Sequence, residues 1–166
     1  MASMQRVFSI LIGLMILGIT VFANEHYLLP EQKSDLMRTL KLKIERAHTI
    51  TIITQKLDSS MLSRSIEKSL RNHAKLLLIT TDLSTASYYA KYKNVTIKVP
   101  TAQHLSETFT LNILLIDESD ICISSLPFDE NILKREIGQV ICTTDSEDIR
   151  FGEEITKKFI ERFEAY

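Results

Sequence analysis

Residues 110–125 read TLNILLIDESDICISS, which is an apolar run, four turn-forming residues and a second, shorter apolar run. The first run belongs to a predicted strand over 109–116 and the second forms a predicted strand over 121–124. The four residues between them, 117–120, have the length and composition of a hairpin turn. This stretch therefore predicts an antiparallel pair of strands, around which the rest of the chain is arranged.

Helices and strands alternate in the part of the chain that precedes the hairpin. Apolar residues four apart indicate helices, and short β-branched or continuous apolar runs indicate strands. The predicted elements are, in order, a helix over 31–47, a strand over 49–54, a helix capped by Asp58 or Ser59, a strand over 76–79, a weak helix over 84–92 and a strand over 95–99. This order is typical of an α/β domain with a mixed, largely parallel sheet flanked by helices.

The chain after the hairpin continues the same domain. A short helix is predicted over 129–134 and a strand over 139–143. An amphipathic helix follows, with Ile155, Phe159 and Phe163 on one face. Thr144 and Glu147 have the spacing of a capping box at its start.

The N-terminus has the pattern of an export signal. Arg6 is followed by the uncharged run 7–23 and then by a polar switch at Asn24. The run indicates either a signal peptide cleaved after Ala23 or an uncleaved membrane anchor, because it is about as long as the shortest spanning helix. We therefore divide the chain into a signal or anchor over 1–23, a linker over 24–30 and one domain over 31–166.

Composition limits the partners and the chemistry of the exported part. Without Arg6 the chain has 19 basic and 21 acidic residues, so bulk charge provides no attraction to nucleic acid. Cys122 and Cys142 lie in apolar runs, and export permits a disulfide between them; the alternative is two buried thiols. No cysteine–histidine spacing predicts a metal site, and no motif predicts a cofactor.

The order of elements around the hairpin resembles the phospholipase D superfamily, particularly its small single-copy bacterial nucleases. The resemblance covers about residues 31–164. In that family the hairpin carries His-x-Lys-x4-Asp, followed by Gly-Ser and an Asn. The histidine forms a covalent phosphohistidine, a second histidine from another copy protonates the leaving group, and the lysine binds the phosphate oxygens.

This sequence departs from the family pattern at the residues that do the chemistry. Thr110 stands at the histidine position and Asn112 at the lysine position. Threonine does not titrate near neutral pH, and asparagine has no charge to offset a phosphate. The remaining positions that correspond to the motif are Asp117, Ser124, Ser125, Pro127 and Glu136, of which Asp117, Ser125 and Glu136 match the family. A further role for Asp117 is to cap the hairpin turn through the backbone amides of that turn.

The resemblance therefore implies a phospholipase D-like half-unit that is a pseudoenzyme, acting as a binding or envelope interaction module. One alternative is an active nuclease or lipid phosphodiesterase that uses substitute residues, and another is an unrelated structural α/β domain of the envelope. Single-copy family members pair as dimers, so a homodimer is expected, or else an envelope protein as partner. Nucleic acid and phospholipid are only weakly supported. We expect a bacterial protein that is periplasmic or held at the inner membrane by residues 7–23.

Overall fold

A computed structural model describes residues 24–101 and 111–166 of this chain. The strands are β1 (Glu25–Leu29), β2 (Thr49–Thr54), β3 (Leu57–Asp58), β4 (Lys75–Thr80), β5 (Val95–Pro100), β6 (Asn112–Ile116), β7 (Asp120–Ser124), β8 (Phe128–Asp129), β9 (Gly138–Thr143) and β10 (Phe163–Ala165). The helices are α1 (Lys33–Arg46), α2 (Ser60–Arg71), α3 (Leu83–Tyr89), α4 (Glu130–Arg135) and α5 (Ser146–Arg162).

The strands form one large sheet in the order β1-β9-β7-β6-β2-β4-β5-β10, and β3 pairs with β8 in a small separate sheet. The predicted mixed sheet flanked by helices is confirmed. Within the large sheet, parallel pairing is confined to β2, β4 and β5. The other pairs are antiparallel, namely β1–β9, β9–β7, β7–β6, β6–β2 and β5–β10.

The two faces of the large sheet are covered unequally. One face packs against apolar residues of α1 to α4, including Leu40, Ile66 and Leu133, all fully buried. The other face packs against α5, through Ile149, Ile155 and Phe159 among others. Gly152 allows α5 to approach closely, since a Cβ there would lie 2.5 Å from Ile121 Cδ1.

Residues 24–30 are not the linker that the sequence suggested. Five of them form β1, an outer strand that pairs antiparallel with β9. Its outward backbone groups are partly used by the chain itself. Leu28 N–H donates to Gln32 Oε1 at 2.7 Å, and Leu28 carbonyl accepts from Gln32 N–H at 2.9 Å. This strand was missed because its partner lies more than 100 residues away along the chain, and no local pattern indicates such pairing.

The last helix also differs from the prediction at both ends. Its N-cap is Asp145, whose carboxylate accepts from the N–H groups of Glu147 at 2.8 Å and Asp148 at 3.4 Å, so the proposed capping box at Thr144 is wrong. The helix ends at Arg162, and Phe163 begins β10, which pairs with β5. Phe163 remains in the same apolar cluster as Phe159, at a ring-centroid distance of 5.3 Å.

Cys122 and Cys142 lie directly opposite each other on β7 and β9 and form a disulfide. Both residues are buried. Of the two alternatives, a disulfide or two buried thiols, the structure has the disulfide. Within residues 24–101 and 111–166, none of the helices has the length and apolarity needed to cross a membrane. The apolar run 7–23 lies outside these residues.

Candidate functional site

The polar residues of the motif are placed by the ends of the strands. The parallel strands β2, β4 and β5 end at one border of the sheet, here termed the carboxyl edge, and begin at the opposite border, the amino edge. Because β6 runs antiparallel to β2, its first residue, Asn112, lies at the carboxyl edge. Ser124, the last residue of β7, pairs with Asn112. Ligand sites of α/β sheets usually form at this border, so it is the candidate site.

Asn112 is only 2% exposed, and both the oxygen and the nitrogen of its amide form hydrogen bonds with neighbouring residues. Its Oδ1 accepts from Thr54 Oγ1 at 2.8 Å and from the N–H of Gln55 at 3.4 Å. Its Nδ2 donates to the carbonyl of Ser124 at 3.5 Å. An amide in this position ties β2, β6 and β7 together, whereas a phosphate-binding residue would point its polar atoms at a ligand.

The two serines are also engaged internally. Ser124 is buried, and its hydroxyl donates to the carbonyl of Leu126 at 2.6 Å and accepts from the N–H of the same residue at 3.1 Å. Ser125 is exposed, and its Oγ exchanges hydrogen bonds with the backbone of Gln139 at 3.0 and 3.3 Å. Ser124 thus closes a turn, and Ser125 extends the β7–β9 pairing by one residue.

Two further motif positions add little to the site. Thr110 lies outside the described residues, so the structure does not place it. Glu136 follows α4, where its side chain is exposed and its N–H donates to the carbonyl of Ile132 at 2.9 Å. Pro127, at the position of the family asparagine, is half-buried just before β8.

Asp117 lies at the amino edge, at the far end of β6 from Asn112. Its Oδ1 accepts from the N–H groups of His48 at 2.8 Å and Thr49 at 2.7 Å, and its own N–H donates to the carbonyl of Thr49 at 3.0 Å. The sequence suggested that Asp117 caps its own hairpin turn; it instead joins that turn to the start of β2. Asp117 and Glu118 have φ values of 51° and 54° in this turn, a conformation that Asp tolerates better than most residues.

The sequence reading missed a charged cluster at the carboxyl edge. Lys56 Nζ lies 2.7 Å from Asp129 Oδ2 and 3.3 Å from Asp58 Oδ2. Asp129 is 2% exposed, and its Oδ1 caps α4 by accepting from the N–H groups of Asn131 and Ile132. The pairing of β3 with β8 brings these residues together from distant parts of the chain. The available signal was the polar stretch 54–58 directly after a predicted parallel strand.

Both members of the central ion pair are held in their charged forms. Burial raises the pKa of Asp129, but the hydrogen bonds from Lys56 and from the amides of Ile132 and Asn131 outweigh it, so the pKa lies below its usual value. The hydrogen bond to Asp129, followed by that to Asp58, raises the pKa of Lys56. The positive charge of Lys56 is therefore already balanced by the carboxylates of Asp129 and Asp58.

The described part of the carboxyl edge carries polar and charged side chains that are paired with each other or with the backbone. Asp82, which follows β4, caps α3 and accepts from Thr85 Oγ1 at 2.7 Å. Lys56, Asp58, Asp82 and Asp129 together carry a charge of −2, which opposes binding of a phosphodiester. Within residues 24–101 and 111–166, no cluster of His, Cys, Asp and Glu could hold a metal ion.

A separate groove lies between α5 and the start of β2. Its volume is about 270 Å³, and its lining includes Thr49, Thr156 and Lys157. The hydroxyl of Thr49 donates to Asp117 and that of Thr156 to the carbonyl of Gly152. The groove is thus remote from Asn112 and contains none of the other motif residues.

Comparison with solved structures assigns the fold. The chain has a phospholipase D-like fold, because the solved structures it resembles include several proteins of that superfamily. NucT from Helicobacter pylori matches with a TM-score of 0.73 at 19% identity, over 87% of this chain and 99% of NucT. Nuc from Salmonella typhimurium, a phospholipase D family member, matches with a TM-score of 0.69 at 9% identity, over 87% of this chain and 97% of Nuc.

A larger enzyme shows the same fold as a half-unit. Phosphatidylserine synthase from Haemophilus influenzae matches with a TM-score of 0.69 at 9% identity, over 88% of this chain but 40% of the enzyme. No protein-family model and no curated protein matches this sequence. The predicted phospholipase D-like fold is thus confirmed by shape, at identities that speak for the fold alone.

Proposed function

We propose that this chain is a non-catalytic phospholipase D-like domain that is exported and acts as a binding module of the bacterial envelope. The observation that carries the proposal is the state of Asn112. The sequence resemblance aligns it with the phosphate-binding lysine, it is buried, and its amide is hydrogen-bonded to Thr54, Gln55 and Ser124. An asparagine and a threonine at these two positions cannot form the phosphohistidine of the family or place a positive charge beside the phosphate oxygens.

The charge of the carboxyl edge favours a protein partner over a phosphodiester. Two carboxylates, those of Asp58 and Asp129, lie within 3.3 Å of the ammonium group of Lys56, and Asp82 adds a third negative charge at the same edge, so an anionic ligand would meet net repulsion. An active enzyme with substitute residues would need a free cation here. Lys56, the lysine that follows β2, is paired with Asp129 and Asp58 and does not supply one.

Export is supported by two independent features. The run 7–23 has the pattern of a signal or anchor. The disulfide between Cys122 and Cys142 fits an oxidising compartment such as the periplasm. Within such a compartment we expect a homodimer, as in the single-copy family members, or a complex with an envelope protein.

Hydrolysis of a chromogenic phosphodiester by the purified full chain tests the proposal. We expect no turnover above that of buffer, and no covalent phosphoryl adduct in the intact-mass spectrum after quenching. Turnover that is abolished by Asn112→Ala would show that the carboxyl edge is an active site and would refute the proposal. A mock purification from cells that do not produce the chain controls for contaminating phosphodiesterases.

A further inference from the structure

The amino edge carries a set of cations that the proposed function does not use. The loops leading into β2, β4 and β5 all lie at this edge. Their exposed basic residues, together with those that follow α3, define the basic patch: Arg46, Arg71, Lys75, Lys91 and Lys93. Tyr88, 44% exposed, lies beside them under the ammonium group of Lys91, which is 4.1 Å from its ring centroid.

Most of these cations are available to an outside ligand. Arg46, Lys75 and Lys93 form no ion pair within residues 24–101 and 111–166. Arg71 approaches Glu67 only at 3.9 Å. Lys56 at the carboxyl edge has both its carboxylate partners within 3.3 Å, so the two edges differ in free charge.

Backbone hydrogen bonds hold the three loops together as one platform. The N–H of Lys75 donates to the carbonyl of His48 at 2.8 Å. The side-chain amide of Asn94 donates to the carbonyl of Leu70 at 3.0 Å and also to that of Ala74. The cations therefore project from a fixed surface, which lowers the ordering cost of binding.

The position of the N-terminal chain identifies the surface that this patch would meet. Strand β1 begins at Glu25, and Glu25 pairs with Cys142 near the end of β9, so the chain joins the domain at the amino edge. The apolar run ends at residue 23, one residue before the described part begins. A retained anchor would thus hold the amino edge within a few residues of the lipid, where the effective concentration of headgroups is high.

We propose that the amino edge, with the run 7–23 kept as an anchor, docks its basic patch onto an anionic phospholipid surface. Lysine and arginine side chains near such a surface attract its anionic headgroups, and tyrosine is favoured at headgroup depth. The strands β2, β4 and β5 stand four to six strand positions from β1, about 19 to 29 Å away. The carboxyl edge would then face away from the lipid, open to a partner.

Glu45, Glu67 and Asp120 at the amino edge are paired with Lys68, Arg71 and Lys43, so its acidic residues without an ion pair among the described residues determine its tilt. Asp117, Glu118 and Glu147 lie at the hairpin turn and at the start of α5, which are closer to β1 than the basic patch is. A negative surface repels this half of the edge and attracts the other half. The domain therefore leans with β2, β4 and β5 toward the lipid, about a pivot at β1.

Lysine labelling of the full chain in vesicles tests the proposal. The chain is reconstituted into phosphatidylcholine vesicles with or without phosphatidylglycerol, treated briefly with an amine-acetylating reagent and analysed by mass spectrometry. We expect Lys75, Lys91 and Lys93 to react severalfold more slowly when phosphatidylglycerol is present, and high salt to remove the difference. Lys56 and Lys134 at the other end of the domain should react equally in both.

A pair of matched variants separates the patch from general charge. In Lys75→Gln/Lys93→Gln, the docking equilibrium read at Lys91 should fall about 25-fold, since each cation near an anionic surface is worth about fivefold. The control Lys33→Gln/Lys134→Gln removes the same charge from residues that pair with Glu130 and should leave Lys91 protected.

Several outcomes would overturn the proposal. Equal labelling of Lys75, Lys91 and Lys93 in the two vesicle types would do so. The finding that the chain isolated from its native membrane lacks residues 1–23 would also do so. Stronger protection by a short DNA oligonucleotide in neutral vesicles would assign the patch to nucleic acid. Protection in neutral vesicles that grows with protein density would assign it to a second copy of the chain.

Discussion

The two ends of the same three parallel strands have opposite character. At the carboxyl edge, Thr54, Asn112 and Asp129 are buried, and their polar atoms are bound to each other, to Lys56 or to the backbone. At the amino edge, Lys75 and Lys93 are exposed without an ion pair among the described residues. In an enzyme of this fold the carboxyl edge would carry the reactive groups. Here the described polar residues of the carboxyl edge are paired within the domain, and exposed cations without an ion pair among the described residues lie at the other end.

The largest effect that distinguishes the two edges is expected from Asn112→Lys. The substitution buries an ammonium group without a partner and removes one of the two acceptors near the Thr54 hydroxyl, so the free energy of unfolding should fall by about 3–5 kcal/mol. Lys93→Asn, at the amino edge, should change it by less than about 0.5 kcal/mol. Urea unfolding of the purified full chain measures both. An Asn112→Lys variant as stable as the parent would mean that the carboxyl edge is open to solvent and that the contrast is wrong.

A smaller loss is expected from Asp129→Ala. It removes the N-cap of α4 and the buried acceptor that binds Lys56, and we expect the free energy of unfolding to fall by about 2 kcal/mol. Asp129→Asn keeps an oxygen to cap α4 and should lose less than half as much. If the two variants were equally unstable by urea unfolding, the cap would not be the reason for this residue's burial.

Asp117→Ala tests whether a motif residue at the amino edge is structural. The loss of two backbone hydrogen bonds, together with alanine at a positive φ, should lower the free energy of unfolding by about 1 kcal/mol. Asp117→Asn retains an acceptor and tolerates the backbone conformation, so it should stay close to the parent. Thermal unfolding of the three proteins side by side decides this, and an unchanged midpoint for Asp117→Ala would remove the structural explanation.

The smallest effect is the pH dependence that Asp129 contributes. Its pKa is lowered in the folded state, so it stabilises the fold at pH values above the unfolded pKa of about 3.9. This contribution is lost as the pH falls through the lower, folded pKa. The difference in stability between the parent and Asp129→Asn should therefore be constant from pH 7 to pH 5 and shrink below pH 4. A difference that grows on acidification would contradict the direction of the shift.

Local sequence patterns were sufficient to predict most of the helices and strands but not the outer strands β1 and β10. The strand 49–54 and the helix after Ser59 could be predicted because β-branched alternation, four-residue apolar spacing and an N-cap residue are all local signals. β1 and β10 could not, since each is short and exists only through its pairing with a distant strand. The parallel content of the sheet was overestimated for the same reason.

Some properties of the candidate site likewise follow from the sequence, and others depend on the fold. That Asn112 cannot bind phosphate as a lysine does follows from its chemistry alone. The hydrogen bonds of its amide to Thr54 and Ser124 depend on the strand order β7-β6-β2. That order brings Asn112 next to residues 58 and 12 positions away along the chain. Lys56 and Asp129 meet only because β3 and β8 pair. The chemistry of each residue could thus be argued from the sequence, and the fold was needed to show which residues are paired.

The outer strands of the sheet, β1 and β10, restrict how any partner can attach. On β1 the outward donor and acceptor of Leu28 are occupied by Gln32, so a strand-shaped peptide would find a free backbone pair only at His26. At the other side of the sheet, the three residues of β10 pair with β5. Outer strands as short as β1 and β10 discourage assembly by sheet extension into fibres.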